Sequence, residues 1–174
     1  MTFRAGLRRL LGADGLPEGF PGRLEADERV LATARTADGH HLVVTSWGLW
    51  LPEGDGVRRV GWHLVSRAVW RGGALAVVEA DEAAQLDGAV LLADRPARRF
   101  RLADPGRVPE AVHARVEGSI RSRHHRDLPG GGAWFVQRKV PGRDGTVLQV
   151  RPDAGTDPAL VAQVAADVAR MLRR

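Results

Sequence analysis

The sequence predicts a mainly β fold with helices, of the α+β class. About seven short strands form an antiparallel barrel or sandwich, one amphipathic helix lies on it, and a ββα unit follows. Three observations predict this. Short apolar runs separated by turn residues succeed one another from about residue 29 to 102. The period then changes, with Val108, Val112, Val116 and Ile120 recurring every four residues. Two more strand-like runs and a helical pattern close the chain.

Residues 2–11 predict a short helix with Phe3, Leu7, Leu10 and Leu11 on one side and Arg4, Arg8 and Arg9 elsewhere. The run "GADGLPEGFPG" breaks that pattern as a loop. "RVLATAR" and "HLVVT" flank "TADGH", where Asp-Gly supplies the positive φ a hairpin needs. "GLWLP", "VRRVGWHLV", "SRAVW", "ALAVVEA", "AVLLA" and "RRFRL" follow as further strand runs. The helix should run from Pro109 to about His124 and bury Val112, Val116 and Ile120. "LPGGGA" reads as a flexible join. "WFVQRKV" and "TVLQVRP" bracket "PGRDG" as a second hairpin. The last helix has Asp157 or Thr156 as N-cap, Pro158 at its first position, and Leu160, Val164, Val168, Met171 and Leu172 as its apolar face.

Composition narrows the function classes. The 174 residues hold no cysteine, so disulfides and thiolate metal sites are excluded. No run reaches the roughly 20 apolar residues of a spanning helix, and no signal peptide is evident, so a cytoplasmic location is expected. The net charge is +5, carried by twenty-five arginines and the single Lys139. That bias, with abundant Ala, Gly and Val, reads as the codon usage of a GC-rich genome of actinobacterial kind. Most arginines alternate with acids, which describes a solvated surface better than a nucleic-acid groove. Carboxylates in turns such as "EADE" are expected to be hydrated.

The order of strands followed by one helix resembles a bacterial pleckstrin-homology-like (PH-like) domain. "VVTSWGLWL" is similar to the stretch joining the second and third strands of that family, and "RVGWHLVSRAVWRGGALAVVE" to the stretch after it. The resemblance covers residues 25–126. It implies a bent seven-stranded antiparallel barrel whose helix plugs one open corner, and no enzyme activity. Residues 1–24 then form an N-terminal helix and loop, and residues 127–174 a ββα extension packed on the barrel. Phosphoinositide binding does not carry over, because the first hairpin offers Arg35, His40 and His41 without a ladder of cations.

Four of the five tryptophans lie between residues 43 and 70. Trp62 reads as core with Val60 and Leu64, Trp70 as cover for a barrel edge, and Trp134 as packed inside the extension. Trp50 faces away from Leu49 and Leu51. Trp47 sits in the turn "TSWG", beside a glycine expected at positive φ, and needs cover from the N-terminal helix, the extension, a second subunit or a partner. Trp47 and Trp50 are therefore a candidate partner surface. Phe3, Leu7, Leu10 and Leu11 are a candidate membrane face. Arg121, Arg123 and Arg126, in "RSRHHR" at the expected helix end, are a candidate anion patch. His124 and His125 diverge on a helix, as His40 and His41 do across a strand. No metal or cofactor is expected. The four serines, 46, 66, 119 and 122, lie in no nucleophile-elbow setting. The expected function is a non-catalytic interaction domain for a protein partner or a second copy. The alternatives are a peripheral membrane protein using the N-terminal helix and an enzyme or small-ligand binder with a pocket between barrel and extension.

Overall fold

A computed structural model describes residues 15–174. The residues proposed as a membrane face, Phe3, Leu7, Leu10 and Leu11, lie outside the described residues. Among the described residues the fold is mainly β with two α-helices, and its larger sheet is curled into a half-barrel. β1 (Val30–Arg35), β2 (His41–Thr45), β3 (Gly48–Glu53) and β4 (Gly56–Gly61) make a four-stranded antiparallel sheet in sequence order. Asp-Gly works as expected in the first hairpin, with Gly39 at φ +89°.

Gly48 differs from expectation. It does not take a positive φ. A Cβ there would stand 2.3 Å from the Val60 carbonyl oxygen, so the residue is glycine to let β3 and β4 approach. The Thr45 hydroxyl instead fixes the turn, accepting the Trp47 and Gly48 amides at 3.2 Å each.

A single 3-10 turn, Trp62–Leu64, turns the chain from β4 into β5 (Val65–Arg71). β6 (Ala74–Leu86) is thirteen residues long and holds the second sheet together. Its first half pairs with β5 on one edge and with β8 (Arg98–Arg101) on the other. Its second half pairs with β7 (Ala89–Asp94). The paired positions from Leu86↔Ala89 to Ala74↔Arg101 follow one antiparallel register with minor slips. The runs "AVLLA" and "RRFRL" are thus two pieces of one broken strand along β6. The Thr36↔Leu102 bridge joins the two sheets.

Helix α1 spans Val108–Ser119 and buries Val108, Val112 and Val116 against Leu42, Leu49, Leu75 and Trp62. It stops before Ile120, five residues short of the expected end. Residues from Ile120 to Leu128 form β9, which pairs with β10 (Gly131–Lys139) over eight positions. The four-residue spacing that reached Ile120 was a local signal, and pairing with β10 overrides it. "LPGGGA" is accordingly the tight turn between two paired strands, and the extension has three strands rather than two.

β11 (Thr146–Pro152) pairs antiparallel with β10 and parallel with β7, through Gln149↔Val90 and Val150↔Leu91. That parallel pair makes the extension a continuation of the barrel's second sheet. Helix α2 (Pro158–Leu172) starts on Asp157, whose carboxylate accepts the Ala159 amide at 3.0 Å. Its buried line is Val161, Ala165 and Ala169, flanked by the half-buried Val164 and Val168. Met171 and Leu172 are exposed, so the face is rotated from the expected one. Small alanines let the helix lie close to the sheet, a preference that counting large apolar residues does not detect.

Candidate functional site

Helix α1 and the face of the larger sheet not covered by α2 line an open cleft of about 670 Å³. Alternation along the strands decides what lines it. Trp134, Val136 and Arg138 of β10 share this face with Arg123 of β9 and with Gln149 and Arg151 of β11. The opposite phase, Ala133, Phe135, Leu148 and Val150, is covered by α2. Both phases of β10 are therefore used, one for a core and one for the cleft.

The floor of the cleft is closed by two side chains. Arg138 is 3% exposed and has no carboxylate partner among the described residues. Its guanidinium donates to the carbonyls of Val65 at 2.8 Å and Trp62 at 2.7 Å, and to the Ser119 hydroxyl at 2.6 Å. These bonds tie β10 to the 3-10 turn, β5 and α1 at once. Burial, with the charges of Arg151 and Arg123 added, lowers its pKa to about 10, so it remains charged at neutral pH. Beside it the Gln149 amide donates to the His63 carbonyl at 2.6 Å. The Gln149 carbonyl oxygen is buried without a hydrogen-bond partner among the described residues.

The walls carry more charge. Arg151 donates to Asp94 at 2.9 Å, and the Ser66 hydroxyl donates to the same carboxylate oxygen at 2.5 Å. Burial pulls the Arg151 pKa below its usual value, against the pull of Asp94. Arg123 stands 3.9 Å from Glu117 of α1, too far for a strong hydrogen bond, and its side chain is half exposed. Arg67 enters from β5. The lining thus holds four guanidinium groups, those of Arg67, Arg123, Arg138 and Arg151, against the carboxylates of Asp94 and Glu117. Leaving His113 aside, four minus two gives a surplus of two positive charges. At the mouth stands Trp134, 41% exposed. Its indole meets the His125 ring edge-on, with centroids 5.1 Å apart, and His125 is held by Asp153 at 2.7 Å.

Compared with known proteins, the chain matches no family model, no curated protein and no solved structure.

The residues proposed from sequence are distributed differently. Arg121, Arg123 and Arg126 are not one patch, because they lie on a strand instead of a helix end. Arg123 lines the cleft, Arg126 points to the opposite face in register with Ala133, and Arg121 occupies the slip between the Ser122 and Ile120 pairings. Trp134 stands at the cleft mouth, while its neighbour Phe135 packs inside the extension.

Trp50 is no partner surface: it is buried, edge-on to Phe20, with its indole N–H donating to Glu28 at 3.0 Å. Trp47 is half-buried between Arg59, 5.1 Å from its ring, and the backbone of Gly142 in the β10–β11 turn. At Gly142, φ +75°, a Cβ would come within 2.6 Å of the indole. The extension therefore supplies the cover that Trp47 needs. Trp62 is core, with its N–H on the Thr45 carbonyl at 3.0 Å. Trp70 and Val69 are among the exposed large apolar residues, at 39% and 44%, on β5.

Glu28 overturns the view that the "EADE" carboxylates are hydrated. It is buried, accepts from the Thr45 hydroxyl at 2.6 Å, and pairs with Arg59 at 2.5 Å. Burial pushes its pKa up, yet those donors, the Glu25 amide and Trp50 together hold it below the usual carboxylate value. Arg138 and Arg151 were missed because an arginine in an apolar strand of this arginine-rich chain looks like a solvated residue. A usable signal was present: "AWFVQRKV" is apolar in both phases at first, which marks a strand covered on both faces.

Among the described residues no helix is long and apolar enough to cross a membrane, and no group of three or more His, Asp or Glu could hold a metal ion.

Proposed function

We propose that this protein is a non-catalytic binding module of PH-like kind whose ligand is an anion held in the cleft between α1 and the larger sheet. Four features support the PH-like assignment: the four-stranded first sheet, the β5–β6 pair, the broken strand of β7 and β8, and α1 against Trp62. The observation that carries the ligand reading is the surplus of two positive charges in a half-enclosed cleft of about 670 Å³. That size falls within the roughly 300–1,000 Å³ of small-molecule sites. Low-dielectric walls strengthen the attraction of an anion to those guanidinium groups.

The test is titration of the full chain with pyrophosphate, followed by amide chemical shifts. Shifts should map to β9–β11 and α1, and Arg123→Glu should weaken binding at least tenfold. Shifts that are absent, or unaltered by Arg123→Glu, sink the reading. Salt-sensitive pelleting on phosphatidylserine vesicles that disappears on deleting residues 1–12 would replace it with membrane attachment.

A second surface suits the expected protein partner or second copy. Trp70 is 39% exposed on β5, which pairs only with β6 among the described residues. Trp70→Ser should abolish any concentration-dependent dimer seen by light scattering while leaving the cleft intact.

A further inference from the structure

Resting on the anion reading of the cleft, we infer that its ligand is a phosphate monoester carried on a planar aromatic ring, a nucleoside monophosphate being the simplest example. Charge selects the phosphate. A phosphate monoester carries about −1.5 to −2 at neutral pH, which matches the surplus of two positive charges, whereas one carboxylate would leave half of it uncompensated. Donor availability agrees with charge. Arg138 commits most of its donors to carbonyls and Ser119, so it contributes mainly through its charge. Arg123 and Arg67 have donors to give, and Arg151 has those that Asp94 leaves free.

The aromatic ring follows from Trp134. It lies directly across from Arg151 in the strand register, so an anion on Arg151 places the rest of its ligand against the indole. Trp134 is also braced before any ligand arrives. His125 meets it edge-on, and His125 is itself fixed between Asp153 at 2.7 Å and Asp127 at 3.3 Å. A braced, exposed indole at the mouth of a cationic cleft is a stacking platform for a flat π-system. The Gln149 carbonyl oxygen, buried beside the cleft and without a donor among the described residues, adds one acceptor for a ligand N–H or O–H.

The experiment compares adenosine 5′-monophosphate, ribose 5-phosphate and adenosine on the full chain, by calorimetry and by the indole N–H resonance of Trp134. The nucleotide should bind about tenfold tighter than ribose 5-phosphate and shift that resonance, with adenosine weaker than both. In a folded Trp134→Leu variant the nucleotide should fall to the affinity of ribose 5-phosphate, which stays unchanged. Equal binding of nucleotide and ribose 5-phosphate, both weakened by Arg123→Glu, overturns the aromatic inference and leaves the anion reading standing. If neither phosphate binds to the folded chain, both fall.

Discussion

The two hydrophobic cores of this molecule are built from different side chains. The barrel core is made of Leu42, Leu49, Leu51, Val65, Leu75 and Trp62, closed by the valines of α1. The extension core leans on Ala89, Ala133, Ala165 and Ala169, with Phe135, Leu148, Val150 and Val161 between them. Large side chains bury more apolar surface per residue, so the first core gains more from its own packing. The extension gains less from its own core and borrows stability through β11–β7 pairing, the Arg138 bonds and the contact of Gly142 with Trp47. A polar fastening has a consequence that an apolar one lacks: the space beside it stays wet and charged. Arg138, which ties the extension to the 3-10 turn and β5, also lines the cleft.

The comparison breaks most directly at Trp62. Trp62→Ala should destabilise the whole protein by about 3–5 kcal/mol, because it opens a cavity at the centre of the barrel core. Chemical denaturation followed by circular dichroism should show one transition moved to lower denaturant. If instead the extension alone melts early, the first core does not gain more from its own packing.

Arg138→Met should cost less overall, about 3 kcal/mol, and should fall on the extension. The methionine fills the volume but leaves the Trp62 and Val65 carbonyls without their charged donor. Hydrogen exchange should quicken in β10, β11 and α2 while β1–β4 stay protected. Uniform loss of protection across both cores would mean that they are one cooperative unit.

The smallest effect sharpens the comparison by pH. His63 sits at the seam, its ring over Gly61 and its carbonyl on Gln149. Burial, with Arg138 and Arg143 nearby, depresses its pKa from 6.5 to about 4. The folded protein therefore keeps this imidazole neutral where the unfolded chain already binds a proton. Its contribution is complete above pH 6.5, declines as pH falls towards about 4, and declines no further below that. Because Glu28 and Glu79 also lose stability on acidification, the readout is a difference. His63→Gln should lose less stability than the parent chain between pH 7 and 4.5. Identical losses would remove His63 from the seam's acid sensitivity.

Much of the fold was legible in sequence because its signals are local. Asp-Gly placed the first hairpin, the valine spacing placed α1, and Asp157 with Pro158 placed the start of α2. Period-two alternation correctly put Leu49 and Leu51 on one face and Trp50 on the other. What alternation does not state is whether the second face is covered, and Trp50 was covered by residues twenty-two and thirty positions before it, Glu28 and Phe20.

The sequence by itself determined that strands precede α1, that a hairpin and helix follow it, and that most of the large apolar residues are core. Each of these rests on interactions within a few residues, where propensity and periodicity act. Only the tertiary structure decided that residues 120–128 are a strand, that "AVLLA" and "RRFRL" share one partner strand, and that β11 lies parallel to β7. It alone gathered Arg67, Arg123, Arg138 and Arg151 from four strands around one cleft. Strand pairing is a choice among distant segments, made by whichever register buries both faces of β10 best. No window of neighbouring residues contains that information.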